Sequence, residues 1–152
     1  GSPMHLRRSE VTIATLLRNA GYATCFAGKW YCNGMFNSQR QPQPGDHGFD
    51  HWMATQNNAG PSHMNPRNFV RNGKPLGEQA GSSCALIVSE AISWLGQRDS
   101  SRPFCLFAWF HNTHEPVATT SSFIEPYRDV LAHELNVKHV TLVALAKVLS
   151  LS

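Results

Sequence analysis

The stretch Gly21-Tyr22-Ala23-Thr24-Cys25-Phe26-Ala27-Gly28-Lys29-Trp30-Tyr31 decides the fold. Before it, residues 9 to 20 place Ile13, Leu16, Leu17 and Ala20 at helical spacing, with Ser9 at the N-cap position and Gly21 at the stop. Residues 22 to 28 then predict a short buried strand with small and aromatic side chains on alternate faces. A helix feeding a strand is the α/β pattern. The strand delivers Lys29, between Gly28 and Trp30, to its carboxyl end, where open α/β sheets place ligands. A lysine held there is a point cation with three donors, suited to a tetrahedral oxyanion.

The whole chain has 152 residues, enough for one domain with a real core, and its 41% hydrophobic and 15% charged content reads as globular. The net charge of +3 comes from scattered basic residues, which predicts no nucleic-acid partner. No stretch approaches the roughly eighteen apolar residues of a membrane span, so no membrane role is expected. The start, Gly1 to Arg8, lacks a signal-peptide core. Of the four cysteines, none forms a Cys-x-x-Cys pair, and Cys25, Cys84 and Cys105 fall in apolar patterns that suit inert thiols.

From Tyr31 to Gly81 the chain is rich in Gly, Pro, Asn, Gln and His, an unusually long loop unless it is functional. Gly48-Phe49-Asp50-His51-Trp52 predicts a short strand within it, and residues 68 to 75 predict a hairpin around Asn72-Gly73. Ser82 and Ser83 cap a second helix to about Gln97, with Cys84, Val88, Ala91, Ile92 and Leu95 on one face. The apolar run Phe104 to Phe110 predicts a strand buried on both faces. It ends in His111-Asn112-Thr113-His114-Glu115-Pro116, a second polar cluster at a strand's carboxyl end. Beyond Pro116, Leu142, Leu145, Ala146 and Leu149 show helical spacing in a final stretch without a stop signal.

The eleven residues from Gly21 closely resemble the Gly-Tyr-x-Thr-x-x-x-Gly-Lys-Trp signature of the sulfatases, members of the alkaline-phosphatase-like superfamily. The Gly48-Phe49-Asp50 strand, the phrase Ala54 to His63 and His114-Glu115-Pro116 resemble the same family. The resemblance runs from Gly1 to about Tyr127, and residues 128 to 152 match poorly. It implies a partial alkaline-phosphatase-like fold: an incomplete α/β domain with a mostly parallel sheet flanked by helices, over residues 1 to 152.

The family hydrolyses sulfate esters or sulfamates with a formylglycine made from a Cys-x-Pro-x-Arg motif or its serine equivalent. No cysteine or serine here opens such a motif. By resemblance, Lys29 steadies charge on the sulfuryl oxygens, and His114 hydrogen-bonds the sulfate or protonates the leaving alkoxide. His63 is a candidate substrate-site residue. His111 is balanced between supporting the site and facing solvent. Tyr31 replaces the family's histidine, and a phenol with a free pKa of about 10 is a poor general base at neutral pH.

The family metal is usually calcium, held by an Asp-Asp pair and an Asp-Asn pair, neither of which occurs here, so no metal ligand is assigned. His47, His51, His111 and His114 with Asp46 and Asp50 lack the spacing of a transition-metal site. The implied partner is a sulfated small molecule or glycan, and the family suggests a periplasmic or extracellular setting. Two alternatives stay open. One is a free-standing, catalytically dead oxyanion-binding or interaction module. The other, weaker, is a related phosphodiesterase or phosphatase.

Overall fold

The computed structural model describes residues 5–112, 114 and 120–127. In chain order these form α1 (Ile13–Asn19), β1 (Ala23–Lys29), a 3-10 turn (Pro44–His47), β2 (His51–Thr55), β3 (Val70–Arg71), β4 (Lys74–Pro75), α2 (Ser83–Gln97), β5 (Phe104–Trp109) and α3 (Ser121–Ile124), with a second 3-10 turn at Glu125–Tyr127. The strands make one sheet in the order β4-β3-β2-β1-β5. The three longer strands, β2, β1 and β5, run parallel, and the short β3 and β4 are antiparallel. Glu115, Pro116 and the helical spacing beyond residue 128 lie outside the described residues.

Side chains alternate across a strand, so β1 sends Phe26 to one face and Ala27 to the other. Phe26 joins Ala14 of α1, Trp30, Phe49, Trp52, Ala54 and Val70 in one core. Ala27 joins Met53, Ala59, Phe69 and Ile87 of α2 in the other. The sheet is thus covered by α1 on one side and α2 on the other, and β1 is buried along nearly its whole length.

The N-cap of α1 is Thr12, not Ser9. The Thr12 hydroxyl accepts from the Thr15 N–H at 3.0 Å and donates to the His47 carbonyl at 2.6 Å, so one side chain caps the helix and ties it to the 3-10 turn. The expected apolar face is only partly used: Ile13 and Leu16 are exposed, and the buried residue is Ala14. Gly48 explains the choice. A Cβ there would meet the Thr15 nitrogen at 2.3 Å, so the helix backbone rests directly on the glycine and only a small residue fits.

The second strand begins at His51, three residues later than the motif suggested, because Gly48 takes a left-handed φ of 97° at the end of the 3-10 turn. The Asn72-Gly73 hairpin forms as expected, with φ of 47° and 85° at its two central residues. Between the elements, side-chain amides stitch the long loop. Gln43 Nε2 donates to the carbonyls of Met35, Ser38 and Gln41, and Asn33 Nδ2 donates to Pro42 O at 2.7 Å.

Helix α2 starts with Ser82 as N-cap, as expected, but buries a different face. Ile87, Glu90 and Ala91 point inward while Val88, Ile92 and Leu95 point out. Glu90 orients the helix: Arg71 grips both its oxygens, at 2.7 and 2.5 Å, and His51 Nε2 lies 2.7 Å from Oε1. Burial alone would raise the Glu90 pKa, but these donors and their charge outweigh it and hold the carboxyl at about 2. Strand β5 is the edge of the described sheet and is not buried on both faces. Phe104, Trp109 and Phe110 are substantially exposed.

Candidate active site at the carboxyl edge of the sheet

The parallel register places Lys29 beside Thr55 of β2, and Gly28 beside Trp109 of β5. Lys29, the turn after β2 and the His111–His114 segment after β5 therefore share one edge, as the topology of open α/β sheets requires of a ligand site. Lys29, Thr55 and Met53 lie on the α2 side of the sheet. The start of α2 closes the edge from that side: the Ser83 N–H donates to the His63 carbonyl at 2.7 Å, and Ser83 Oγ meets Asn112 Oδ1 at 3.3 Å. The positive end of the helix is thus turned towards the same place.

Lys29 Nζ donates to Asn58 Oδ1 at 3.0 Å and lies 4.8 Å from the centre of the Tyr31 ring. Its partner is a neutral amide oxygen. Among the described residues no carboxylate pairs with Lys29. Tyr31 is exposed and holds a left-handed φ of 50°, uncommon for a bulky residue. Its N–H donates to the Gln56 carbonyl at 2.8 Å, which continues the β1–β2 pairing past the strand ends.

His63 and His111 are fully buried with ring centres 5.7 Å apart, and the edge of Phe69 closes on the His111 ring. Burial pushes the His63 pKa down, and the charges of His114 and Lys29 push the same way. His111 is held at about 4 by burial first, then by His63, Lys29 and His114. Lys29 thus acts on both rings. His114 itself is exposed, and its N–H donates to the His111 carbonyl at 2.8 Å.

All four candidate residues therefore gather at this edge. Lys29, Tyr31 and His114 are at the surface, whereas His63 is wholly buried, with no hydrogen-bond partner for either ring nitrogen among the described residues. His111, balanced between two roles in the sequence, is an internal residue. The sequence reading missed Thr55 and Asn58 as parts of the site. Their signal was present, since polar residues following a buried parallel strand occupy the same edge as Lys29.

The other histidines do not join them. His51 is engaged by Glu90, and His47 stacks on Trp30 at 5.8 Å. Among the described residues no three His, Cys, Asp or Glu side chains converge as metal ligands. Several of their carboxylates are engaged elsewhere: Glu90 by Arg71 and His51, Asp46 by Arg8 and the Gln43 N–H, Glu78 by Arg67 and Asp99 by Ser101. These residues do not fit the oxygen cage that calcium requires. Cys25 is pushed up to about 12 by burial and by the charge of Glu90, and burial also raises Cys32, Cys84 and Cys105, as unreactive thiols would be.

Comparison with known proteins gives the same direction. The family model for sulfatases matches residues 3–136. An N-acetylglucosamine-6-O-sulfatase of Bacteroides thetaiotaomicron is 34% identical over 99 residues, covering 64% of this chain and 15% of that protein. Human N-acetylgalactosamine-6-sulfatase is 26% identical over 131 residues, covering 76% of this chain and 24% of its own length. The chain thus spans a quarter or less of these relatives. Among solved structures, BT4656 in complex with its substrate D-glucosamine-2-N,6-O-disulfate superposes with a TM-score of 0.65 at 24% identity, over 84% of this chain and 24% of that one. Ps i-CgsB in complex with k-i-k-neocarrahexaose superposes with a TM-score of 0.78 at 16% identity, over 96% and 35%. With a match over most of its length and an alkaline-phosphatase-like sheet, the chain belongs to the sulfatase family.

Proposed function

We propose that this chain carries the sulfate-binding and leaving-group side of a sulfuric ester hydrolase and does not turn over substrate alone. One observation carries the reading. Lys29 stands at the carboxyl end of a central parallel strand, held by an amide oxygen and uncompensated by any described carboxylate, beside a group of imidazoles and a helix N-terminus. Such a place favours an oxyanion.

In this reading Lys29 steadies negative charge on the sulfuryl oxygens, and His114 gives its proton to the departing alkoxide. Tyr31 lends a hydrogen bond but not a base. His63, buried against His111, serves the substrate side from behind the surface groups. The substrate is a sulfated sugar or small molecule. Calcium belongs to the complete enzyme, and no step performed by the described residues is routed through it.

The test is a titration of the 152-residue chain with inorganic sulfate, followed by backbone amide shifts. Shifts centred on Lys29 and His114, lost in Lys29→Met, are the expected result. No shift at these residues would overturn the assignment. The family membership also favours this reading over a phosphodiesterase or phosphatase of the superfamily, and equal or tighter binding of phosphate under the same conditions would reverse that preference.

A further inference from the structure

The carboxyl ends of all three long parallel strands are joined by hydrogen bonds that meet in the turn after β2. Thr55 Oγ donates to the Asn57 carbonyl at 2.5 Å, an oxygen that can only accept, so the hydroxyl proton is committed there. His111 Nε2 lies 2.8 Å from the same Thr55 oxygen and must therefore be the donor. This fixes the neutral ring as the Nε2–H tautomer, with its lone pair on Nδ1. One residue beyond Asn57, Asn58 Oδ1 accepts from Lys29 Nζ at 3.0 Å. The far side of the turn is pinned by Asn68, whose Nδ2 donates to the Asn58 carbonyl at 3.0 Å and whose Oδ1 accepts from the Gly60 N–H at 2.8 Å.

We propose that His111 is a positioning residue for Lys29. Its neutral imidazole fixes Thr55, Thr55 fixes the Asn57 carbonyl, and the turn so held presents the Asn58 amide oxygen to the lysine ammonium. A lysine has a long flexible stem, and without a fixed acceptor its ammonium samples many positions. Neutrality is built into the surroundings of His111. Phe69 and His63 pack on the ring, the Lys29 ammonium acts on it, and no described carboxylate accompanies it. The consequence for binding rests on Lys29 being the sulfate contact, but the link from His111 to Lys29 does not.

The test is nuclear magnetic resonance of the full chain in four variants: His111→Leu, His111→Gln, Thr55→Val and Lys29→Met. The readouts are the ring nitrogens of His111, the Lys29 ammonium, the Asn58 side-chain amide and the affinity for inorganic sulfate. Wild type should show His111 protonated at Nε2. His111→Leu and Thr55→Val should each move the Lys29 and Asn58 signals and weaken sulfate binding about three- to tenfold. His111→Gln, which keeps a donor at similar reach, should restore binding to within about twofold.

A wild-type ring protonated at Nδ1 overturns the proposal. So do Lys29 and Asn58 signals that stay at wild-type positions in a folded His111→Leu or Thr55→Val chain. If His111→Leu fails to fold, Thr55→Val decides, since it leaves the imidazole in place. If Lys29→Met leaves sulfate binding unchanged, the sulfate reading of Lys29 fails, and the ammonium and amide signals still judge His111.

Discussion

Gly28 and Trp109 approach so closely across the β1–β5 pairing that a Cβ on Gly28 would lie 1.8 Å from the Trp109 carbonyl oxygen. Gly28 also holds φ at 123°, which side-chain-bearing residues rarely adopt. The glycine before the lysine therefore sets the spacing between Lys29 and the histidines that follow β5. Gly28→Ala is expected to destabilise the chain by at least about 3 kcal/mol through strain and strand separation. Urea unfolding checks it, and a loss below about 1 kcal/mol would show that the strands do not meet this way.

Glu90 is the buried anchor between α2 and the sheet. Its folded pKa of about 2 lies below the ordinary value of 4.5, so its contribution is present above pH 4.5 and is lost as pH falls towards 2. Glu90→Gln should cost about 2 kcal/mol near neutrality, the lower end for a broken buried pair because Arg71 is partly exposed. It should also flatten the acid limb of stability in that window. Unchanged acid sensitivity would show that another group governs it.

His111 gives the opposite titration the same sign. Its folded pKa of about 4 lies below the ordinary 6.5, so the unfolded chain binds more protons between those values and stability falls as pH drops through them. The slope should approach about 1.4 kcal/mol per pH unit for this one group. Denaturation midpoints at about pH 7 and about pH 4.5 should differ more for wild type than for His111→Gln.

Activity should be absent. The purified chain is expected not to hydrolyse a chromogenic aryl sulfate above background, because its sequence contains no Cys-x-Pro-x-Arg motif or serine equivalent. Turnover that survives calcium removal would mean that the catalytic groups have been misassigned.

Apolar surface should be detectable. Ile92 on α2, Phe104 and Trp109 on the edge strand of the described sheet and Phe110 just beyond it are all exposed, and an uncovered edge is an association hazard. A hydrophobic dye should bind the chain, and Ile92→Glu should reduce the signal. A sharp thermal transition from a monomer that binds no dye would instead favour a free-standing binding module.

Much of this was legible in the sequence because local rules fixed it. Gly21 stops α1, Ser82 starts α2, Asn72-Gly73 turns the hairpin, and Lys29 ends an otherwise buried strand. What failed depended on distant partners. Thr12 displaced Ser9 as a cap because the His47 carbonyl needed its hydroxyl, and α2 turned a carboxylate inward because Arg71 and His51 were waiting for it. Periodicity ranks faces by apolarity and cannot register such a pair. The burial of His63 and His111 was hidden for the same reason, since loop histidines read as solvent-facing until the start of α2 closes over them.

The bend at Tyr31 has its own consequence. A left-handed backbone at φ 50° strains a tyrosine by about 1–3 kcal/mol, and asparagine and histidine enter that region more readily. Histidine is also the residue that the resembling signature carries at this point. Tyr31→His would therefore relax the main chain and supply an imidazole in one change, whereas Tyr31→Asn would relax the main chain alone. The difference between the two variants isolates chemistry from conformation. The curve of the strand exit suits a histidine better than the tyrosine that occupies it.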